Sequence, residues 1–252
     1  MKIDLSGKVA VVTGAASNGL GRQHALNLGL AGARLCLIDV QDCTESLAFL
    51  ESKGVKAKAF QVDITDFESL QKVADQIESE DQSPQIIVNN ASIITTVGMF
   101  ADIPLDRWQR DIQVNLVGSA NVTRAFWKGM LKMGWGRVVF ISSIAGTRGG
   151  AGQTSYAATK AGVIGLAKSL ALEGASKGVT VNAVAPGVLE TEAALKFIRD
   201  DMLDRMKKSI PLRRFGTPKN ISDVVTFLCS EQSEYITGQV LEVDGGSGLF
   251  VF

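Results

Sequence analysis

Val9-Ala10-Val11-Val12-Thr13-Gly14-Ala15-Ala16-Ser17-Asn18-Gly19-Leu20-Gly21 is the stretch whose reading decides the fold. Four apolar residues run into a glycine-rich loop, and an apolar pattern at helical spacing follows to about Ala31. A continuously apolar strand suits a parallel sheet covered on both faces. Glycines let the backbone turn tightly, so that the free amides and positive dipole end of the following helix can meet a pyrophosphate. Gly14, Ser17, Asn18, Gly19 and Leu20 are therefore candidate nucleotide-binding residues. The next apolar run, 34–39, ends in Asp39. A carboxylate there can accept hydrogen bonds from both adenosine ribose hydroxyls but would repel a 2′-phosphate. With no arginine in the loop before Gly19 to offset that repulsion, the stretch predicts NAD rather than NADP.

Outward from this unit, strand-like runs fall at 8–13, 34–39, 58–63, 85–90, 137–142, 179–185 and 239–243, with helical patterns between most of them. The alternation predicts an α/β fold: a single-domain, Rossmann-type doubly wound parallel sheet of seven strands spanning 1–252. A charged, helical-looking segment at about 189–208 is read as a lid over the substrate. With 252 residues, 46% of them hydrophobic, one domain can bury a large core. Basic and acidic residues number 26 each without long runs, which leaves no electrostatic footprint for nucleic acid or an anionic membrane. The first apolar run is too short for a signal or membrane segment, so a cytoplasmic protein acting on a small molecule is expected. The three cysteines (Cys36, Cys43, Cys229) lack CxxC spacing and His24 is the only histidine, so no zinc-ligand set or Ser-His-Asp triad is recognisable and no metal is expected. His24 is read as structural.

The segment beginning at Ser155 reads as a helix start with Tyr156 and Lys160 at i and i+4 on one face. A phenol is a weak base at neutral pH, but a nearby ammonium and a positive nicotinamide both favour the phenolate. The chain as a whole resembles the short-chain dehydrogenase/reductase family. The resemblance rests, in order, on the 13–21 loop, Asp63 after the third strand, Asn89-Asn90-Ala91 after the fourth, and Asn115 in a long helix. It continues through Ser142-Ser143 closing the fifth strand, Tyr156 with Lys160, and Pro186-Gly187 with Thr191 after the sixth. It implies an NAD-dependent oxidoreductase acting on CH–OH groups, in which Ser143 holds the substrate oxygen and Tyr156 exchanges its proton. Lys160 would lower the tyrosine pKa and hold the nicotinamide ribose, and Asn115 would position a water in the proton relay. It further implies Asp63 and Ile64 near adenine, Asn90 with Ala91 near a ribose, and Val188 and Thr191, with Pro186 and Gly187 beside them, around the carboxamide. Two departures stand out: the loop carries one residue more than the commonest family spacing, and Ser92 replaces a glycine. A positive φ at Ser92 would strain it.

The substrate pocket is expected from 93–97, 144–153 and 189–199, with Ile94, Ile144 and Leu189 as apolar lining and Arg148 and Gln153 as polar contacts. That suits a hydrophobic or cyclic secondary alcohol or ketone. It would also admit a 3-hydroxyacyl thioester of CoA or acyl carrier protein, the carrier using Lys196 or Arg199. A non-catalytic NAD(H)-binding subunit is the competing class, and the intact Ser143, Tyr156 and Lys160 argue against it. The helix 155–175 is rich in small residues and 249–252 is apolar; family members usually assemble through such segments, which leads to an expected homotetramer of 222 symmetry.

Overall fold

The computed structural model describes residues 2–80, 83–95, 97–191 and 200–249. Seven strands, β1 (Val9–Thr13), β2 (Arg34–Asp39), β3 (Ala57–Gln61), β4 (Ile86–Asn89), β5 (Gly136–Ile141), β6 (Val179–Pro186) and β7 (Val240–Val243), form one sheet in the order β3-β2-β1-β4-β5-β6-β7. Every neighbouring pair is parallel. The helices are α1 (Leu20–Leu30), α2 (Thr44–Ser52), α3 (Phe67–Glu80), α4 (Leu105–Ile112), α5 (Ser119–Met133), α6 (Ile144–Arg148), α7 (Thr154–Gly174), α8 (Asp200–Ser209) and α9 (Pro218–Leu228).

Strand periodicity divides the core into two layers. Ala10, Val12, Leu35, Leu37, Ile86 and Val88 face Leu28 of α1, Leu50 of α2 and Ile221 and Val225 of α9. Their chain neighbours Val9, Val11, Cys36, Ile38 and Ile87 face Leu70 of α3, Phe126 and Met130 of α5 and Val163 of α7. Both faces are dry, which is why the strands read as unbroken apolar runs. Each fully buried aliphatic side chain contributes about 1.5–3 kcal/mol. From β1 the chain winds outward to β3, then returns to β4 on the other side of β1. That reversal opens a crevice at the carboxyl ends of β1 and β4, where open α/β sheets bind ligands.

Strand ends differ slightly from the sequence reading, most at β3, which stops at Gln61 rather than 63. Asp63 Oδ1 instead accepts from the Thr65 amide (2.8 Å) and the Thr65 hydroxyl (2.7 Å), a side-chain turn that competes with the ladder. Of the segment 189–208 expected as a lid, 189–191 and 200–208 are described; Lys196 and Arg199 lie outside the described residues. Leu189 bridges to Gly216 and α8 is helical as its charge pattern suggested. No helix among the described residues is long and apolar enough to cross a membrane.

His24 is fully buried between α1 and α9, its Nδ1 2.8 Å from Ser222 Oγ, and burial pushes its pKa down to about 3. The unfolded imidazole takes its proton near pH ~6.5. Because the folded state binds fewer protons below that, stability is fully present above pH ~6.5 and declines as pH falls, by up to about 1.4 kcal/mol per unit. His24→Gln is expected to flatten the fall of Tm below pH ~6; a variant whose Tm declines as steeply as the wild type's would remove His24 as the cause.

Candidate active site

The crevice is a cleft of about 740 Å³. Gly14, Ser17 and Leu20 form its floor at the nucleotide end, and Asp39, Asp63, Ile64, Asn90 and Ala91 its walls. Gly14 has φ +69°, and a Cβ there would fall 2.7 Å from Ala91 Cα; a Cβ on Gly21 would fall 2.1 Å from the Gly14 carbonyl oxygen. Only glycine lets the loop close on both neighbours. Gly19 caps α1 without a side-chain hydrogen bond, leaving the first-turn amides for an anion. Asn18 and Gly19 sit in the turn into α1 without lining the cleft.

The lengthened loop is held from behind. Asn90 Nδ2 donates to the carbonyls of Thr13 and Gly14, and Thr13 Oγ1 accepts from the Asn90 and Ala91 amides, all at 3.0 Å. Buried Arg22 donates to Ser46 Oγ (2.9 Å), the Ala16 carbonyl (3.4 Å) and Glu45 (2.8 Å). Asp39 Oδ2 accepts from the Ala16 amide at 2.8 Å, so the candidate ribose ligand also fixes the loop. Burial opposes ionisation of Asp63, but the two bonds from Thr65 and the one from Arg110 outweigh it and hold its carboxyl below the usual range. Arg110, 3.2 Å from Asp63 and part of the cleft wall, had no local sequence signal: α4 delivers it.

At the other end, β5 stops and Ser143 caps α6, accepting from the Ala145 amide at 3.1 Å. Tyr156 and Ser143 line the same end of the cleft, and the serine side chain favours the phenolate. Lys160 is buried; its Nζ donates to the Ile141 carbonyl at 2.7 Å and lies 5.5 Å from the centroid of the Tyr156 ring. Two contacts set this register. Ser142 Oγ donates to the Lys160 carbonyl at 2.7 Å, and Gly146 lies so close that a Cβ would sit 2.6 Å from the Lys160 carbonyl carbon. The expected lowering of the Tyr156 pKa is not the net result in the protein alone. Burial raises it, only partly offset by the Ser143 side chain, while burial lowers Lys160 to about 7. Desolvation works against charge on both groups.

Asn115 is held on both sides by protein groups. It lies in a π-helix, Gln113–Gly118, that interrupts the long helix, and its side chain accepts from the Ile93 amide (2.8 Å) and donates to the Ile93 carbonyl (2.8 Å) and Thr159 Oγ1 (3.3 Å). Both amide donors are engaged with protein, so the side chain ties Ile93 to Thr159.

Ile94, Ile144, Gln153 and Leu189 line the substrate end, and Pro186, Gly187, Val188 and Thr191 its back wall. Arg148 does not line the cleft. Its guanidinium closes on Glu242 and on Asp244 Oδ2 (2.7 Å), because the last residue of α6 faces the acid pair at the end of β7. Ser92 has no positive φ; among the described residues the one non-glycine in that region is Arg213, at 57°. Serine at 92 is therefore unstrained. Among the described residues no group of three or more His, Cys, Asp and Glu side chains could hold a metal ion.

The family model described as Enoyl-(Acyl carrier protein) reductase matches residues 14–248. A curated relative, 3-oxoacyl-[acyl-carrier-protein] reductase FabG of Aquifex aeolicus, is 40% identical over 251 residues, covering 98% of this chain and 99% of that protein. Carveol dehydrogenase from Mycobacterium avium, solved in complex with NAD, superimposes with a TM-score of 0.92 at 30% identity, covering 98% of this chain and 100% of that one. A chain described as a candidate 2-deoxy-d-gluconate 3-dehydrogenase from Agrobacterium tumefaciens, with bound NADP, gives 0.89 at 34% identity over 98% of each chain. A glycine loop at the switch point of a seven-stranded parallel sheet, a serine–tyrosine–lysine set at the far end of one cleft, and likeness along nearly the whole length converge: the chain belongs to the short-chain dehydrogenase/reductase family, oxidoreductases acting on CH–OH groups.

Proposed function

We propose that the protein oxidises a hydrophobic or cyclic secondary alcohol with NAD, through Ser143, Tyr156 and Lys160. The observation that carries this reading is one cleft lined by Asp39 and, across from it, by Ser143, Tyr156 and buried Lys160. Bound NAD supplies the hydride acceptor. Ser143 donates to the substrate oxygen and Tyr156 takes the hydroxyl proton, so that both groups act where negative charge develops. Lys160, held by the Ile141 carbonyl beneath the tyrosine ring, favours the phenolate when it carries a proton. Gly14, Ser17 and Leu20 would cradle the pyrophosphate, with Asn18 and Gly19 shaping the turn; Asp39 the ribose; Asp63 and Ile64 the adenine. Asn90 and Ala91 would face the second ribose, and Pro186, Gly187, Val188 and Thr191 the carboxamide.

An apolar substrate is favoured by Ile94, Ile144 and Leu189, with Gln153 as the polar side chain among them. The likeness to a 3-oxoacyl reductase favours a second reading, a 3-hydroxyacyl thioester. Comparing kcat/KM for cyclic alcohols and a 3-hydroxyacyl-CoA under the same conditions separates them: the first reading requires the cyclic series to lead, and a hundredfold lead for the thioester would replace it.

A homotetramer is part of the same proposal. Leu172 on α7 is 83% exposed and Tyr235, before β7, is fully exposed, and both would be covered in such an assembly. Light scattering at micromolar concentration is expected to give four times the chain mass, and a monomer mass would refute it.

A further inference from the structure

We propose that Asp111 is a positioning residue that locks the substrate loop to the catalytic helix, an assignment that rests on the oxidoreductase reading above. Asp111, in the last turn of α4, is completely buried. A carboxylate is costly in such a place unless its oxygens are satisfied by donors. Its donors come from two separate segments. Oδ1 accepts from the Thr95 amide (3.1 Å) and the Thr95 hydroxyl (2.6 Å), and Oδ2 accepts from the Ser155 hydroxyl (2.6 Å).

Four residues on, Asn115 makes a second connection of the same kind, between Ile93 and Thr159. The loop anchors, Ile93 and Thr95, flank Ile94, which lines the substrate end of the cleft. The helix anchors, Ser155 and Thr159, flank Tyr156, and Thr159 Oγ1 also donates to the Tyr156 carbonyl at 2.7 Å. The wall against which the substrate rests and the group that takes its proton are thus each held between two points, and both pairs of points hang on one helical face. A shift of about 1 Å at a reacting group can cost about a hundredfold in rate. The Asp111 connection limits that shift by tying Tyr156's chain neighbour to the substrate wall.

The test is a set of four variants read by steady-state kinetics, NADH titration and Tm. Asp111→Ala is expected to lower kcat/KM for the alcohol about tenfold to a hundredfold, while NADH affinity stays within about twofold, because the connection does not touch the nucleotide end. Asp111→Asn, which keeps one acceptor for Thr95 and offers a donor to Ser155 Oγ, is expected to recover most of that loss. The two ends should separate: Thr95→Val raises the alcohol KM more than it lowers kcat, and Ser155→Ala lowers kcat more than it raises KM. If Asp111→Ala does not fold, these single-hydroxyl variants decide the matter. Activity, NADH affinity and Tm falling together across the set, no kinetic change, or identical kcat and KM effects from the two ends would overturn the assignment. A wild-type protein that oxidises no alcohol would instead bring down the oxidoreductase reading on which it stands.

Discussion

Tyr156→Phe is expected to lower kcat for alcohol oxidation by about a thousandfold, within the range that a positioned acid–base group contributes, while NADH binds as before. The phenol is the titratable group that shares the cleft with Ser143, and removing its oxygen leaves the ring packing of α7 in place. Even a full hydrogen bond lost with that hydroxyl would cost only about 1 kcal/mol of stability, too little to unfold a domain with two full core layers. Burial holds the phenol's pKa above its ordinary value in the protein alone, so the base form that oxidation needs grows as pH rises. Oxidation should therefore accelerate from neutral toward alkaline pH, and reduction should not. A phenylalanine variant within about tenfold of wild type would show that the proton leaves by another route.

The second large effect concerns the cofactor. Relatives of this chain have been solved with NAD and with NADP, so family membership alone does not choose between them. Asp39 lines the cleft, and its orientation is fixed by amide bonds from Ala16 (2.8 Å) and Gln41 (3.0 Å). A 2′-phosphate brought within about 4 Å of that carboxylate meets repulsion of about 4 kcal/mol per unit charge at an effective dielectric of about 20. Solvent at the cleft mouth reduces this. Arg22, a cation in the first turn of α1, is already committed to Ser46, Ala16 and Glu45 and is buried. The expected outcome is kcat/KM for NADP at least about a hundredfold below that for NAD, with Asp39→Asn narrowing the ratio at least tenfold. Equal use of both cofactors by the wild type would mean that Asp39 does not face the 2′ position.

Much of this architecture could be read without coordinates, for physical reasons. The strands are buried on both sides, so their apolar runs are unbroken, and a glycine loop followed by a helix has few other uses than holding an anion. Tyr156 and Lys160 are one helical turn apart, a spacing that survives into any fold. What failed to show were contacts between segments far apart in the chain. Arg148 looked like a free cation near the pocket because Glu242 and Asp244, which hold it, come 94 and 96 residues later. The bonds from Asn115 to Ile93 were not legible either, because the π-turn that aims the side chain there leaves no periodic mark. Arg110 and Asp111 lie side by side on α4, yet one reaches Asp63 and the other Ser155 at the start of α7, a division made by the packing of α4 rather than by its composition. Desolvation of Tyr156 and Lys160 was likewise invisible, since it depends on what surrounds them.

The most direct test of the central claim is formation of reduced nicotinamide by the purified wild-type protein, given NAD and, separately, NADP with cyclic, aromatic, polyol and 3-hydroxyacyl-thioester alcohols. The account predicts turnover with NAD, led by a hydrophobic or cyclic secondary alcohol, and little with NADP. No turnover of any alcohol despite tight NADH binding would contradict it, and would leave a nucleotide-binding protein that keeps Ser143, Tyr156 and Lys160 for some purpose other than hydride transfer.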